Sequence, residues 1–508
     1  VAWPEVHIDW DGEGFDTTES ATPIYDRGLP VTVAYGRDVG RAFAPLAPGR
    51  AGFEINNPST DYHPENEASP LYGLLHSGSP VRVTVPYPET GTPVVVYRGY
   101  LDDYLVDPEW TRKGVQVTCT DALARLRGTI LSTPLHQGLR TGEAIGLLLD
   151  AAGWPEDARD LDRGASVLPW WWAEGVNAGD ELLRLLDTEG PGSLLTVDSD
   201  GRLVFRDRHH RLTRTESTTV QATFTGGGTE PVASPPMRYD QGWKDIVNAV
   251  TLQVEVRAPA SVAQVVGSAP GTWHIPDATT VDLTIRASDP FIEAITPEEG
   301  VDYTLVSGTV EVTLSRDNGQ STTVHVTASG GPAVVSDVQV RGYPVTGATM
   351  HVTAEDTGSI SRHGRRTWPD GRAPVYASLW DHQAIALIIL GHRSERLPAI
   401  SFTVHGAAGP ERAAQQLDRD LSDRIHVTAA GVDADMWIER IEHTFGAVVR
   451  DTVFACEKVP AQPEDTLILG DGELGTGTLG RVGLDNPAQM FLLDSASQGV
   501  LGSVLLAH

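Results

Sequence analysis

Cysteine is almost missing from this chain: Cys119 and Cys456 are the only two in 508 residues. Two cysteines cannot build a disulfide framework, so the composition suits assembly in a reducing cytosol. Long apolar runs are missing too, and nothing approaches the ~18 consecutive apolar residues of a membrane span. The stretch Val1 to Trp10 lacks the basic-then-apolar order of a secretory signal. Its alternation (Val6, Ile8, Trp10) predicts a strand instead. Positive charge is scarce. Lys and Arg number 38 against 68 Asp and Glu, a net charge of −30. So acidic a surface repels phosphate backbones and excludes stable nucleic-acid binding. It suits either a lining past which nucleic acid slides or plain solubility.

Motifs that carry chemistry are also missing. There is no HExxH, CxxC or GxSxG, and the GTGTLG run near Gly475 lacks the lysine and strand-to-helix frame of a phosphate loop. His209 and His210 are adjacent in a strand-like setting, which sends their side chains to opposite faces. His392, His405, His426 and His443 lack ligand spacing. Asp198-Ser199-Asp200-Gly201 hints at a calcium loop, but the twelfth position is His209 where the loop needs Glu, so a hairpin turn explains it better. Acidic pairs such as Asp102-Asp103 and Glu298-Glu299 carry no spacing signal. The expectation is a protein that is not an enzyme and uses no metal or cofactor.

What is present is β-like. Gly (52) and Pro (34) punctuate many short Val/Thr-rich runs. The length predicts roughly three or four domains. Together these predict a mainly β, multi-domain protein, α+β overall. Residues 1–130 hold six runs that fit a small barrel or sandwich, with the long run Pro93 to Val106 as a bent strand. Residues 131–236 form an α+β unit. Thr141 is a candidate N-cap for a helix ending at Gly153, and a second helix spans about Ala178 to Glu189. A hairpin follows around Asp200-Gly201. Residues 237–374 are β-rich, with a sandwich-like insertion over 258–355. Residues 375–460 combine an apolar helix (Leu379 to Leu390) with further strands, and 461–508 is a Gly/Leu/Asp-rich extension read as a docked arm. Two features stand out as interface candidates. Trp170, Trp171 and Trp172 are consecutive and suit a loop packed between domains or a sugar platform. Arg362, Arg365 and Arg366 suit paired carboxylates on a neighbour.

Several stretches resemble one family. The run Gly52 to Val85, with its Y.PEN..SPLYG loop and G.PVRV strand, is one. Others are Tyr97-Arg98-Gly99-Tyr100-Leu101-Asp102, the run Val115 to Leu126, Asp245 to Val254, and the WIE.IEH.F piece at Trp437. In order, they resemble the tail hub (minor tail) proteins of siphophages, above all those of actinobacteria, over about residues 1–255 and 335–508. The resemblance implies two tube-like β-barrels, residues 1–130 and 375–460, flanking the α+β domain and the β-rich insertion. It implies a homotrimer at the virion tail tip, assembled in the host bacterial cytoplasm. There it joins the tube to the tip complex and forms part of the DNA ejection channel, with an acidic lumen. Implied partners are the distal tail protein, the tape measure protein, other tail-tip or receptor-binding proteins, and viral DNA in transit. The alternative is a carbohydrate-binding or cell-wall-degrading tail-tip protein.

Overall fold

The computed structural model describes residues 4–15, 30–37, 40–106, 113–227, 232–369, 376–429, 431–446 and 449–460. The extension 461–508 lies outside them.

Six strands come first: β1 (Glu5–Ile8), β2 (Val31–Arg37), β3 (Leu46–Asn56), β4 (Pro80–Pro86), β5 (Pro93–Val106) and β6 (Gly114–Thr120). They lie side by side in the order β1-β4-β5-β6-β3-β2. Alternation decides which face is buried, as in β4, where Val81 and Val83 point inward. Val6, Trp10, Val33, Phe53, Val83 and Val117 meet in one core, so the sheet curls around it. β5 is bent as expected. Pro93–Tyr100 pairs with β4, Tyr100–Val106 pairs with β6, and a register shift falls between Leu101 and Asp103. The loop after β3 is a chain of turns, with amide-to-carbonyl bonds at Asn57, Thr60, His63, Asn66 and Ser69 in steps of three. It tucks Leu71 into the same core.

The strands near the end of the described chain do not form a separate barrel. They continue the first sheet. β2 pairs antiparallel with the strand Val432–Phe445, Val31 opposite Phe445 and Gly36 opposite Arg440. The path then runs through Arg450–Lys458 and Ala399–His405 to Ser234–Asp240, and the whole sheet counts 12 strands. Among the described residues it does not close on itself. The reason lies in strand length. Val432–Phe445 has 14 residues, and one edge serves two partners. Val432–Trp437 pairs with Arg424–Ala429, and Arg440–Phe445 pairs with β2. The second set of strands buries its own core around Phe224, Phe402, Ile438 and Phe454.

Between the two sets lie the helices Thr141–Ala151 and Ala178–Glu189 and the hairpin Leu194–Val197/Leu203–Arg206, around a core that includes Leu148, Leu185 and Phe205. The first helix is capped one residue earlier than expected: Arg140 is the N-cap, and Glu143 accepts its N–H at 2.8 Å. Asp198 accepts the N–H groups of Asp200 and Arg202 in the hairpin turn, the role anticipated for it. His209 and His210 are not on a strand. His210 opens the helical turn His210–Thr213 and is buried.

The β-rich region begins with a two-stranded ribbon, Ala249–Pro259 against the last part of Ala333–Glu355. Near its base Val250 and Leu252 pack on the helix Leu379–Arg393 through Ile385 and Ile389. The ribbon leads to two sheets sharing one core, with Leu283 and Val324 from a three-stranded sheet and Val335 and Val340 from the other. Among the described residues no helix is long and apolar enough to cross a membrane.

Candidate functional site

Among the described residues, several buried charged side chains gather at the seam where β2 meets Val432–Phe445. The register of the long strand slips between Ile438 and Arg440. This bulge breaks the alternation at Glu439, so Met436, Trp437, Ile438 and Glu439 are all buried in succession. A buried carboxylate needs partners. Glu439 has two arginines. Arg211 donates to both oxygens, at 2.7 and 3.0 Å, and Arg37 donates from Nε at 3.1 Å. Arg37 spends its remaining donors on the carbonyls of Ala44 (2.8 Å) and Ser193 (2.7 Å). Burial lowers its pKa to about 10, so it stays cationic at neutral pH.

Ser422 completes the site. Its hydroxyl accepts from Arg211 Nε at 3.2 Å and sits 2.9 Å from His210 Nε2. It does so with φ of 67°, a left-handed conformation costly for a residue with Cβ. The guanidinium of Arg211 also lies over the Trp437 ring, 4.8 Å from its centre.

A second clamp repeats the pattern on the next strand. Glu457 accepts from Arg393 at 2.7 and 3.0 Å, from Arg41 at 3.0 Å and from the Ala42 amide at 2.9 Å. Arg41 also reaches Asp240 (2.9 Å) and Asp245 (3.1 Å). Four arginines therefore face four carboxylates. They come from the first strands, the α+β unit, the segment Asp240 to Asp245, the helix Leu379–Arg393 and the last strands. Both glutamates are hydrogen-bonded to paired guanidinium groups, and guanidinium does not give up its proton. The arrangement is mechanical: it fixes five regions of chain at one joint. Among the described residues no group of three or more His, Cys, Asp or Glu could hold a metal ion.

The tryptophans occupy three different environments. They begin on a strand, Val167–Trp171, not in a loop. Trp170 and Trp171 are buried. Trp171 donates to Glu181 at 3.0 Å and stacks on His136. Trp172 reaches the β-rich region, donating to Gln320 at 3.0 Å, with Arg257 stacked on its ring and Gly319 against its face. Arg286 pairs with Glu174 beside it, at 2.9 Å. A sugar platform needs an open ring face, and Trp170 and Trp171 offer none.

Arg362 and Arg365 are exposed and Arg366 is half-buried. The carboxylates they meet belong to the same chain: Glu395 for Arg362 and Glu355, at 2.6 Å, for Arg365. Arg366 donates to the Trp243 carbonyl. Sequence reasoning did not single out Arg37, Arg41, Arg211, Arg393, Glu439 or Glu457. The one available signal was the Trp437-Ile438-Glu439-Arg440-Ile441 run, where the alternation slips by one.

No family model matches the chain, and no curated protein matches it in sequence. Among solved structures it is similar to a tail protein from Neisseria meningitidis MC58, at 12% identity and TM-score 0.48, covering 90% of this chain and 97% of that one. It is similar to a 43 kDa tail protein of prophage MuSo2 from Shewanella oneidensis, at 12% identity and TM-score 0.47, covering 89% and 98%. A third likeness is to an E. coli component of the type VI secretion system, at 8% identity and TM-score 0.38, covering 90% and 77%.

Proposed function

We propose that this chain is a structural tail hub protein at the distal end of a non-contractile phage tail. It joins the tail tube to the tip complex and contributes to the channel through which DNA leaves. The observation that carries the reading is the seam: the first and last strand sets form one sheet, locked by Glu439 and Glu457. A load-transmitting ring needs two tube-facing sheets that cannot slide past each other, and a bidentate buried clamp supplies that rigidity. The ordered resemblance of Gly52 to Val85 and of the Trp437 piece to hub proteins agrees with it.

In this reading three copies form a closed ring, assembled in the bacterial host cytoplasm. The strand sets within 1–130 and 375–460 line the channel. The net charge of −30 keeps phosphate from sticking to it. Arg362, Arg365 and Arg366 lie away from the lumen and trade their present carboxylates for those of a neighbouring distal tail, tape measure or receptor-binding protein. A reconstruction of tails carrying a tagged copy of this chain tests the reading. Threefold density for the tag at the tail tip is expected. Density along the tube, or none in the virion, sinks it.

A further inference from the structure

The three-stranded sheet of the β-rich region shows its outer face to solvent, and three side chains on that face form a relay. The strands are Thr280–Arg286, Ser321–Ala328 and Val310–Arg316, with Ser321–Ala328 in the middle. His325 stands directly opposite Asp282 on one side and Thr313 on the other. Ser315, two residues beyond Thr313, is its diagonal neighbour, within reach across a ladder. Both contacts are within hydrogen-bond reach. Asp282 Oδ1 lies 2.7 Å from His325 Nδ1, and Ser315 Oγ lies 2.8 Å from His325 Nε2. A carboxylate can only accept, so Asp282 keeps the proton on Nδ1 and leaves Nε2 free to take the serine proton.

We infer that Ser315 is an activated nucleophile, with His325 as its general base and Asp282 as the group that orients His325, acting on O-acyl esters of a polyhydroxylated polymer. The hydroxyl oxygen of Ser315 adds to the acyl carbon while its proton passes to His325 Nε2. The bond to the substrate alcohol breaks, and the alcohol leaves with that proton. Water, deprotonated by the same imidazole, then cleaves the acyl-serine, releases the acid and restores the hydroxyl. The absence of a linear nucleophile motif has no bearing on this, because the three groups come from three strands and meet only through their register.

The face decides the substrate class. Ser315 is exposed, and the face beside it carries paired hydroxyls, Thr280 with Thr327 and Thr284 with Thr323, at 2.8 and 3.2 Å, with Thr323 also donating to Asp317 at 2.9 Å. A small ester finds nothing there to enclose it. A broad, hydroxyl-rich chain can lie along the ladder. An open site does not exclude water, so turnover is slow and covalent labelling is the sharper readout.

The test uses the full chain and a fluorophosphonate probe, with peptide mapping of the labelled serine. Labelling at Ser315 is expected, lost in Ser315→Ala and slowed roughly 100-fold in His325→Gln. Labelling spread over other serines, or unchanged in His325→Gln, overturns the nucleophile. Acetate release from acetylated xylan, absent in Ser315→Ala, tests the substrate class; labelling without such release overturns the class. Neither readout depends on where the chain sits in a virion, so its failure is separable from that of the hub reading.

Discussion

Arg211 and Glu439 are 228 positions apart in sequence and share two hydrogen bonds, 2.7 and 3.0 Å, at the centre of the seam. Removing one partner of such a pair leaves a buried charge uncompensated, at about 3–5 kcal/mol. Glu439→Gln leaves two guanidinium groups, Arg37 and Arg211, without their anion. We expect it to lower unfolding free energy by that order in a urea titration. A loss under about 1 kcal/mol would show that the clamp is not what holds the joint.

Gly36 sits opposite Arg440 with φ of 107°, and a Cβ there would lie 2.5 Å from the Glu439 carbonyl. Gly36→Ala therefore pushes β2 off its partner strand, and backbone cannot give way as a side chain does. A loss of at least about 2 kcal/mol is expected, read as a lower thermal midpoint. Unchanged stability argues that β2 and Val432–Phe445 are not paired as described.

The neighbouring tryptophans separate two kinds of loss. Trp171→Ala empties a core position and should cost about 3–5 kcal/mol globally. Trp172→Ala removes the contact with Gly319, Gln320 and Arg257. It should leave the global midpoint nearly unchanged while amide exchange rises around 286–290 and 317–320. Equal global effects from both substitutions would contradict this division.

Asp423 carries a pH signature. Burial is the main cause that raises its pKa, from 3.8 to about 7, with Asp420 and Glu216 nearby; Arg419 at 3.2 Å and the Asp420 amide oppose the rise. The folded state holds this proton more tightly than the unfolded state. Its contribution is complete below about pH 4 and is lost as pH climbs toward 7. Asp423→Asn should thus gain stability relative to the parent between pH 5 and pH 8. Parallel urea midpoints for the two proteins over that range would remove the assignment.

Local structure was legible in the sequence and long-range pairing was not. The hairpin around Gly201, the helix beginning at Leu379 and the bend in β5 follow from turn residues and apolar period. The edge that Val432–Phe445 shares between two partners follows from its length and bulge, which no alternation count reveals. Arg37 and Glu439 look like ordinary strand charges until the fold brings them together across 402 positions. The three tryptophans looked like one patch. Strand geometry and a covering layer on each side split them into separate environments. The relay at His325 was invisible for a related reason, since only cross-strand register puts Asp282 and Ser315 on either side of it.

The shared sheet has a consequence for synthesis. A ribosome adds ~5–20 residues per second, so Glu439 emerges roughly 20–80 s after Arg37. Throughout that interval β2 is an unpaired edge beside an arginine with no anion, a template for any stray extended segment. The nascent chain is thus exposed to mispairing for longer than a protein built from consecutive closed modules. Stalled or prematurely released chains ending before residue 432 should be recovered with holding chaperones rather than as soluble half-proteins.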